Sequence, residues 1–218
     1  MFEKMHADLK NKDEEDARDI GEEEDLGLEK CCEIGFKGIE MRLKQKSGKP
    51  DKLLLDGSIK GKASSGRMLA IMGPSGAGKT TACLAIAGLV PEKKIISLTG
   101  RRYLNGVPLS GDSQLPAAFV KQDDTFFPHM TVRETLTFRV ELRLGRSLGA
   151  ADREDVVNEL METLSLTKVA DTIVGDAKIR GISGGERKRL SIACEMISSP
   201  PVIILDEVRW SCFLYKHH

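Results

Sequence analysis

Apolar positions along this chain change rhythm several times, and each rhythm predicts a different element. Two short apolar-rich runs, from Ile34 to Leu43 and from Leu53 to Ile59, flank the polar stretch Lys46, Ser47, Gly48, Lys49 and Pro50, which predicts two antiparallel strands joined by a turn. The unbroken apolar run Met68, Leu69, Ala70, Ile71 and Met72 predicts a buried strand, and the stretch from Thr81 to Ala87 predicts a helix. Ile95 to Leu98 and Tyr103 to Val107 follow, the second carrying the hairpin pair Asn105-Gly106. Ala117 to Val120 predicts a core strand that ends in the polar loop Lys121, Gln122, Asp123 and Asp124. A helical block comes next. Thr131 and Glu134 have capping-box spacing and open a run through Leu136, Phe138, Val140, Leu142 and Leu144. Val156, Leu160 and Leu164 recur every fourth residue, so they share one helix face. Ser183 and Glu186 repeat the capping-box spacing and start a helix reaching about Ser198, stopped by Pro200-Pro201. The last regular element, Val202 to Leu205, has the form of a fully buried parallel strand and ends in Asp206-Glu207.

Composition narrows the class. The 218 residues are 40% hydrophobic and 30% charged, which suits a globular protein. Lys+Arg and Asp+Glu are equal at 33 each, so no overall basic excess points to nucleic acid. Acidic residues crowd the first 29 positions, with Asp13-Glu14-Glu15-Asp16 and Glu22-Glu23-Glu24-Asp25, and predict a solvated tail. The five cysteines are odd in number and lack paired metal-ligand spacing; Cys83 and Cys194 fall in predicted helices as core filler, and a reducing, cytosolic setting fits. No apolar stretch approaches the roughly 20 residues that cross a bilayer as a helix. The N-terminus also lacks the plan of a secretory signal, so membrane contact is expected only through another chain or a further segment.

The strongest chemical signal is Gly73-Pro74-Ser75-Gly76-Ala77-Gly78-Lys79-Thr80, which fits the phosphate-loop pattern G-x-x-x-x-G-K-[ST] at every fixed position. Its setting, between a predicted strand and a predicted helix beginning near Thr81, is the one this motif requires. Glycines let successive N–H groups converge on phosphate oxygens at a positively polarised helix end. Lys79 then reaches the β- and γ-phosphates, and the Thr80 hydroxyl holds Mg²⁺. Asp206, leaving an apolar strand, is placed to hold the same ion, and Glu207 to polarise an attacking water. Taken alone, Gln122 at a strand end is as readily a solvent-exposed side chain as a functional one. Ser183, Gly184, Gly185 and Glu186 taken alone form a helix cap that doubles as an anion site.

In order and rough spacing, these elements resemble the nucleotide-binding domain of an ATP-binding cassette transporter. The stretch from Arg180 to Arg189, with Ser183-Gly184-Gly185-Glu186 at its centre, resembles the signature region of the G subfamily, the White-type transporters, and Phe127 to Leu136 supports the same placement. The resemblance covers about Ile34 to Glu207. It implies an α/β fold: a P-loop NTPase core of ABC type with a parallel sheet, an antiparallel β subdomain and an inserted helical subdomain at about 124–197. The expected organisation is an acidic tail at 1–33, a partial cassette at 34–207 and a divergent tail at 208–218. The resemblance also implies ATP and Mg²⁺ as cofactors, with Gln122 sensing metal and γ-phosphate. It implies a second cassette whose nucleotide meets Ser183 to Glu186, and a transmembrane partner that places the chain on the cytoplasmic face of a membrane. No nucleic acid partner is expected. Arg187, Lys188 and Arg189 are expected on the solvated face of their helix.

Two departures from the family pattern stand out. After Glu207 the expected Pro-Thr-Ser-Gly-Leu-Asp run is replaced by residues 208–218, and no switch histidine follows, which predicts a C-terminally incomplete cassette that binds ATP with little hydrolysis alone. Met41 stands about where an aromatic residue stacks on adenine. Besides an exporter motor coupled to a lipid, sterol or xenobiotic substrate, two readings remain open: a non-catalytic fragment that regulates an intact cassette, and a soluble cassette ATPase acting on DNA or ribosomes.

Overall fold

The computed structural model describes residues 32–45, 50–90, 96–110 and 113–206. The acidic segment 1–31, Glu207 and the tail 208–218 lie outside them. The chain forms two units, one containing Val120–Pro200 and the other built from residues preceding Val120 together with Pro201–Asp206.

The β-rich unit begins with β1 (Glu33–Leu43), which pairs antiparallel with both β2 (Lys52–Ser64) and β3 (Ile96–Leu104). A short β4 (Val107–Leu109) completes a four-stranded sheet of order β2-β1-β3-β4. In β1 the buried positions run Ile34, Phe36, then Ile39, Met41, so the alternation slips by one residue. A β-bulge at this point absorbs the slip: Gly38 adopts φ 68°, a backbone state open to glycine, and the register shifts between Lys37 and Ile39. Without the bulge, the two halves of β1 would place their apolar side chains on opposite faces. Asn105 and Gly106 both have positive φ, 51° and 81°, and turn β3 into β4 as the Asn-Gly pair predicts.

Helix α1 (Lys79–Ala87) lays Ala82, Ala85 and Ile86 against Ile34, Phe36, Ile39, Met41 and Leu55. The buried Arg102 of β3 reaches the last turn of α1, donating to the Ile86 carbonyl at 3.5 Å and to Ser113 at 2.8 Å. A cation at a helix C-terminus is favourably placed against the exposed carbonyl dipoles. Desolvation holds the Arg102 guanidinium below its ordinary pKa. A separate two-stranded sheet pairs β5 (Ala117–Val120) with β6 (Val202–Leu205).

Two expectations fail in this unit. Residues 68–72 form no strand among the described residues, and Met68 and Met72 are 68% and 84% exposed. An apolar run becomes a buried strand only when neighbours pair with it, and no described strand does. For the same reason β6 is not the fully buried strand expected: Ile203 is 37% exposed, and among the described residues β6 lies in a sheet of two strands. Met41, at the position where the family pattern has an aromatic residue, is buried in the core.

The helical unit has one core. From α2 (Val132–Leu144) come Val132, Leu136, Val140 and Leu144; from α3 (Ala150–Thr163) come Val156, Val157, Leu160 and Met161; from α4 (Gly184–Met196) come Leu190, Ala193 and Cys194. The four-residue spacing in α2 explains why Phe138 and Leu142, both in the predicted apolar run, instead face outward. Phe138 meets the exposed Phe127 edge-on, with ring centroids 6.3 Å apart.

Leu160→Ala should lower the unfolding free energy by about 2–5 kcal/mol through lost burial and a cavity, whereas the exposed Leu142→Ala should stay within about 0.5 kcal/mol. Denaturant titration followed by circular dichroism distinguishes the two.

Candidate functional site

Among the described residues, three α-helices begin in ways that bear on binding. Both α2 and α4 neutralise their own N-termini with capping boxes. Thr131 accepts from the Glu134 amide while Glu134 accepts from the Thr131 amide, and Ser183 and Glu186 do the same. By contrast, α1 starts at Gly78 with no side-chain cap and no acidic residue in its first turn. Its leading amides and its positive dipole end are therefore left for an anion from outside. Gly76 and Gly78 sit at φ 80° and 86°, left-handed states open to glycine, and between them the Ala77 amide donates to the Pro74 carbonyl at 3.2 Å. A Cβ added at Gly76 would meet nothing within 4 Å, so the loop surface there is open. Gly73, Pro74, Ser75, Gly76 and Ala77 are all exposed.

The Lys79 ammonium curls over this loop and donates to the carbonyls of Gly73 at 3.0 Å and Pro74 at 2.8 Å. An ammonium has three N–H donors, so one remains for a phosphate oxygen. Thr80 donates to the Asp206 carboxylate at 2.9 Å, joining residues 126 positions apart in sequence. Asp206 is only 5% exposed at the end of β6. A hydroxyl and a carboxylate in contact beside a phosphate loop are the oxygen donors that Mg²⁺ prefers. The donor set thus fits a nucleoside polyphosphate with a divalent cation, and Thr81 adds a helical amide to it. Cys83, expected only to fill core, lies close enough to this pair that its thiol pKa is raised, first by burial and then by the Asp206 charge. Its position one turn beyond Lys79 and Thr80 is the sequence signal for that proximity.

Of the residues expected to act on metal and phosphate, Thr80 and Asp206 come together in the β-rich unit. Gln122 lies exposed in the helical unit, in the loop after β5, and Glu207 is outside the described residues. In the same helical unit, Ser183 and Gly184 are exposed at the start of α4. The Glu186 carboxylate accepts from both the Ser183 amide, at 2.8 Å, and its hydroxyl, at 2.7 Å. These bonds, with the nearby Arg189 charge, hold Glu186 below the usual glutamate pKa against the opposing pull of burial. The local anion at this helix start is thus the chain's own carboxylate.

The basic triplet departs from expectation. Lys188 is 7% exposed and buried rather than solvated. Arg187 is half-buried and donates to the Val174 and Gly175 carbonyls, both at 2.9 Å. Arg189 is half-buried too. The apolar spacing of α4 marks only its inner face and carries no signal that a lysine joins the interior.

The sequence profile described as "ABC transporter" matches residues 57–209, more than half of the chain. The chain belongs to the ABC transporter family. Its relatives place it in the G subfamily as a nucleotide-binding domain. "ABC transporter G family member 7" of Arabidopsis thaliana is 47% identical over 191 residues, covering 87% of this chain and 26% of the relative. "ABC transporter G family member STR" of Petunia hybrida is 43% identical over 150 residues, covering 68% of this chain and 18% of the relative. The chain therefore spans roughly a fifth to a quarter of the length of these curated relatives. The fold is that of an ABC-type P-loop ATPase. A solved dimeric structure of the ATP-binding cassette MJ0796, in a post-hydrolysis state bound to ADP and Pi, matches with a TM-score of 0.60 and 21% identity, covering 81% of this chain and 75% of that one.

The Glu186 carboxylate has a depressed pKa, so its capping contribution is complete above the ordinary glutamate value and is lost as pH falls through the lower, folded value. Acid titration monitored by hydrogen exchange at the start of α4 should show this opening, and Glu186→Gln should flatten it. At neutral pH Ser183→Ala should cost about 0.5–2 kcal/mol in denaturant titration.

Cys194 presents a second test. Burial pushes its thiol pKa up to about 12, so native protein should leave it unalkylated by maleimide while half-exposed Cys32 reacts, as peptide mass mapping can show.

Proposed function

We propose that this cassette binds MgATP and serves as the nucleotide-driven part of a G-family transporter. The observation that carries this reading is the uncapped start of α1, where left-handed Gly76 and Gly78 and the Lys79 ammonium adjoin the Thr80–Asp206 pair. Residues 73–81 hold the phosphates: amides and the helix dipole take the charge, and Lys79 adds a charge-assisted hydrogen bond. Thr80 and Asp206 hold Mg²⁺, which when bound offsets negative charge on the phosphate oxygens. In this reading Gln122 contributes to metal and phosphate sensing, and Glu207 orients water.

A second cassette completes the site. Ser183, Gly184, Gly185 and Glu186 face the nucleotide of the opposite chain, a proposal supported by the dimeric state named for the MJ0796 cassette. A membrane-spanning partner is also part of the reading, because the match takes up only 26% of a G-family transporter relative. No helix among the described residues is long and apolar enough to cross a membrane. The exposed strip of Phe127, Phe138 and Leu142 supplies an apolar surface for that partner within the unit that carries Gln122. Attachment to this partner would hold the cassette at the cytoplasmic face of its membrane. The transported substrate is of the lipid, sterol or xenobiotic class in this reading.

Titration calorimetry should show MgATP binding to the purified chain. Lys79→Ala should weaken it by about 1.5–3 kcal/mol, roughly ten- to a hundredfold, and Asp206→Asn should abolish the gain from magnesium while preserving metal-free ATP binding. Folded protein that gives no heat with MgATP would overturn the reading.

A further inference from the structure

Near the N-terminus of a helix a lysine is electrostatically out of place, because the dipole there is positive. Lys188 nevertheless occupies the fifth position of α4 and is buried, a state that costs free energy unless every donor finds a partner. Each donor does. The ammonium donates to the Lys121 carbonyl at 2.5 Å, to the Gln122 carbonyl at 3.1 Å, and to the two oxygens of Asp124 at 3.2 and 3.4 Å. The Lys188 and Asp124 side chains are each only 9% exposed. Among the described residues, the hydrogen bonds that reach Gln122 and Asp124 come from Lys188. Two consecutive carbonyls held by one ammonium fix the backbone on which the Gln122 side chain stands. The adjacent Arg187 grips Val174 and Gly175, in the segment leading into Ser183.

We propose that Lys188 is a positioning residue for Gln122: its buried ammonium locks the Lys121–Asp124 loop to the Ser183–Glu186 helix, so that the metal-sensing and signature segments move as one piece. The proposal rests on the role given to Gln122 above and assigns Lys188 no contact with nucleotide. An unsupported loop would let the Gln122 amide sample many orientations, and an outer partner that orients a metal-facing group typically changes metal affinity by about 10–100-fold when removed.

The test uses the 218-residue chain with two readouts. In nucleotide titrations with and without magnesium, Lys188→Met should remove the same share of the magnesium-dependent gain as Gln122→Ala, about tenfold, and leave metal-free ATP affinity unchanged. The double variant Lys188→Met/Gln122→Ala should bind no worse than Gln122→Ala, and Lys188→Arg should restore most of the gain. Limited trypsin digestion, which needs no nucleotide, should cleave after Lys121 several times faster in Lys188→Met than in wild type. Should Lys188→Met fail to fold because Asp124 is left buried and unpaired, Lys188→Met/Asp124→Asn removes both charges and carries the same expectations. Additive losses in the double variant, an equal loss of metal-free binding, or an unchanged magnesium gain would overturn the positioning role. If wild-type protein binds no MgATP, the proposed function fails and the trypsin readout alone decides the clamp, with unchanged cleavage overturning it.

Discussion

The hydrogen bond between the Thr80 hydroxyl and the Asp206 carboxylate joins segments 126 residues apart, and the candidate site depends on that closure. Closing a loop of that length costs about 4 kcal/mol in chain entropy, and a hydrogen bond to a charged group returns about 1.5–3 kcal/mol. The bond therefore does not hold the site together by itself. Its geometry is delivered by the pairing of β5 with β6, by the packing of Val202 on the β-rich core, and by Arg102 at the far end of α1. The core thus bears the entropic cost, and Thr80 and Asp206 are left to specify chemistry.

A second constraint is electrostatic. The chain caps α2 and α4 with its own glutamates and leaves α1 without one, so it places its uncompensated helix dipole where a polyanion is expected. A carboxylate in the first turn of α1 would satisfy the same amides and compete with phosphate for them. The missing cap at Gly78 leaves its helix end open to an outside anion, whereas the boxes at Thr131 and Ser183 already occupy amides at theirs.

Much of this was legible because it is local. Capping-box spacing located the starts of α2 and α4, Asn105-Gly106 located the β3–β4 turn, and the fixed positions from Gly73 to Thr80 located the loop before α1. What sequence reasoning missed depends on partners. Residues 68–72 have the composition of a buried strand but no described neighbour to pair with, and β6 is half-covered for the same reason. The bulge at Gly38 moves Met41 inward, which periodicity through β1 does not reveal. Lys188 looked like one member of a solvated basic run because its three acceptors lie more than 60 positions earlier in the chain. Residue type suggests exposure, but a complete set of acceptors reverses it.

The run at 68–72, without a strand partner among the described residues, leads directly into the phosphate loop. Exposed backbone with few buried contacts opens at low free-energy cost, and that would extend to the N-terminal end of the loop. A strand docking alongside the run would stiffen the approach to Gly73 and lower the ordering entropy lost when the amides close on phosphate. A contact at residues 68–72 would then change nucleotide affinity without touching the ligand.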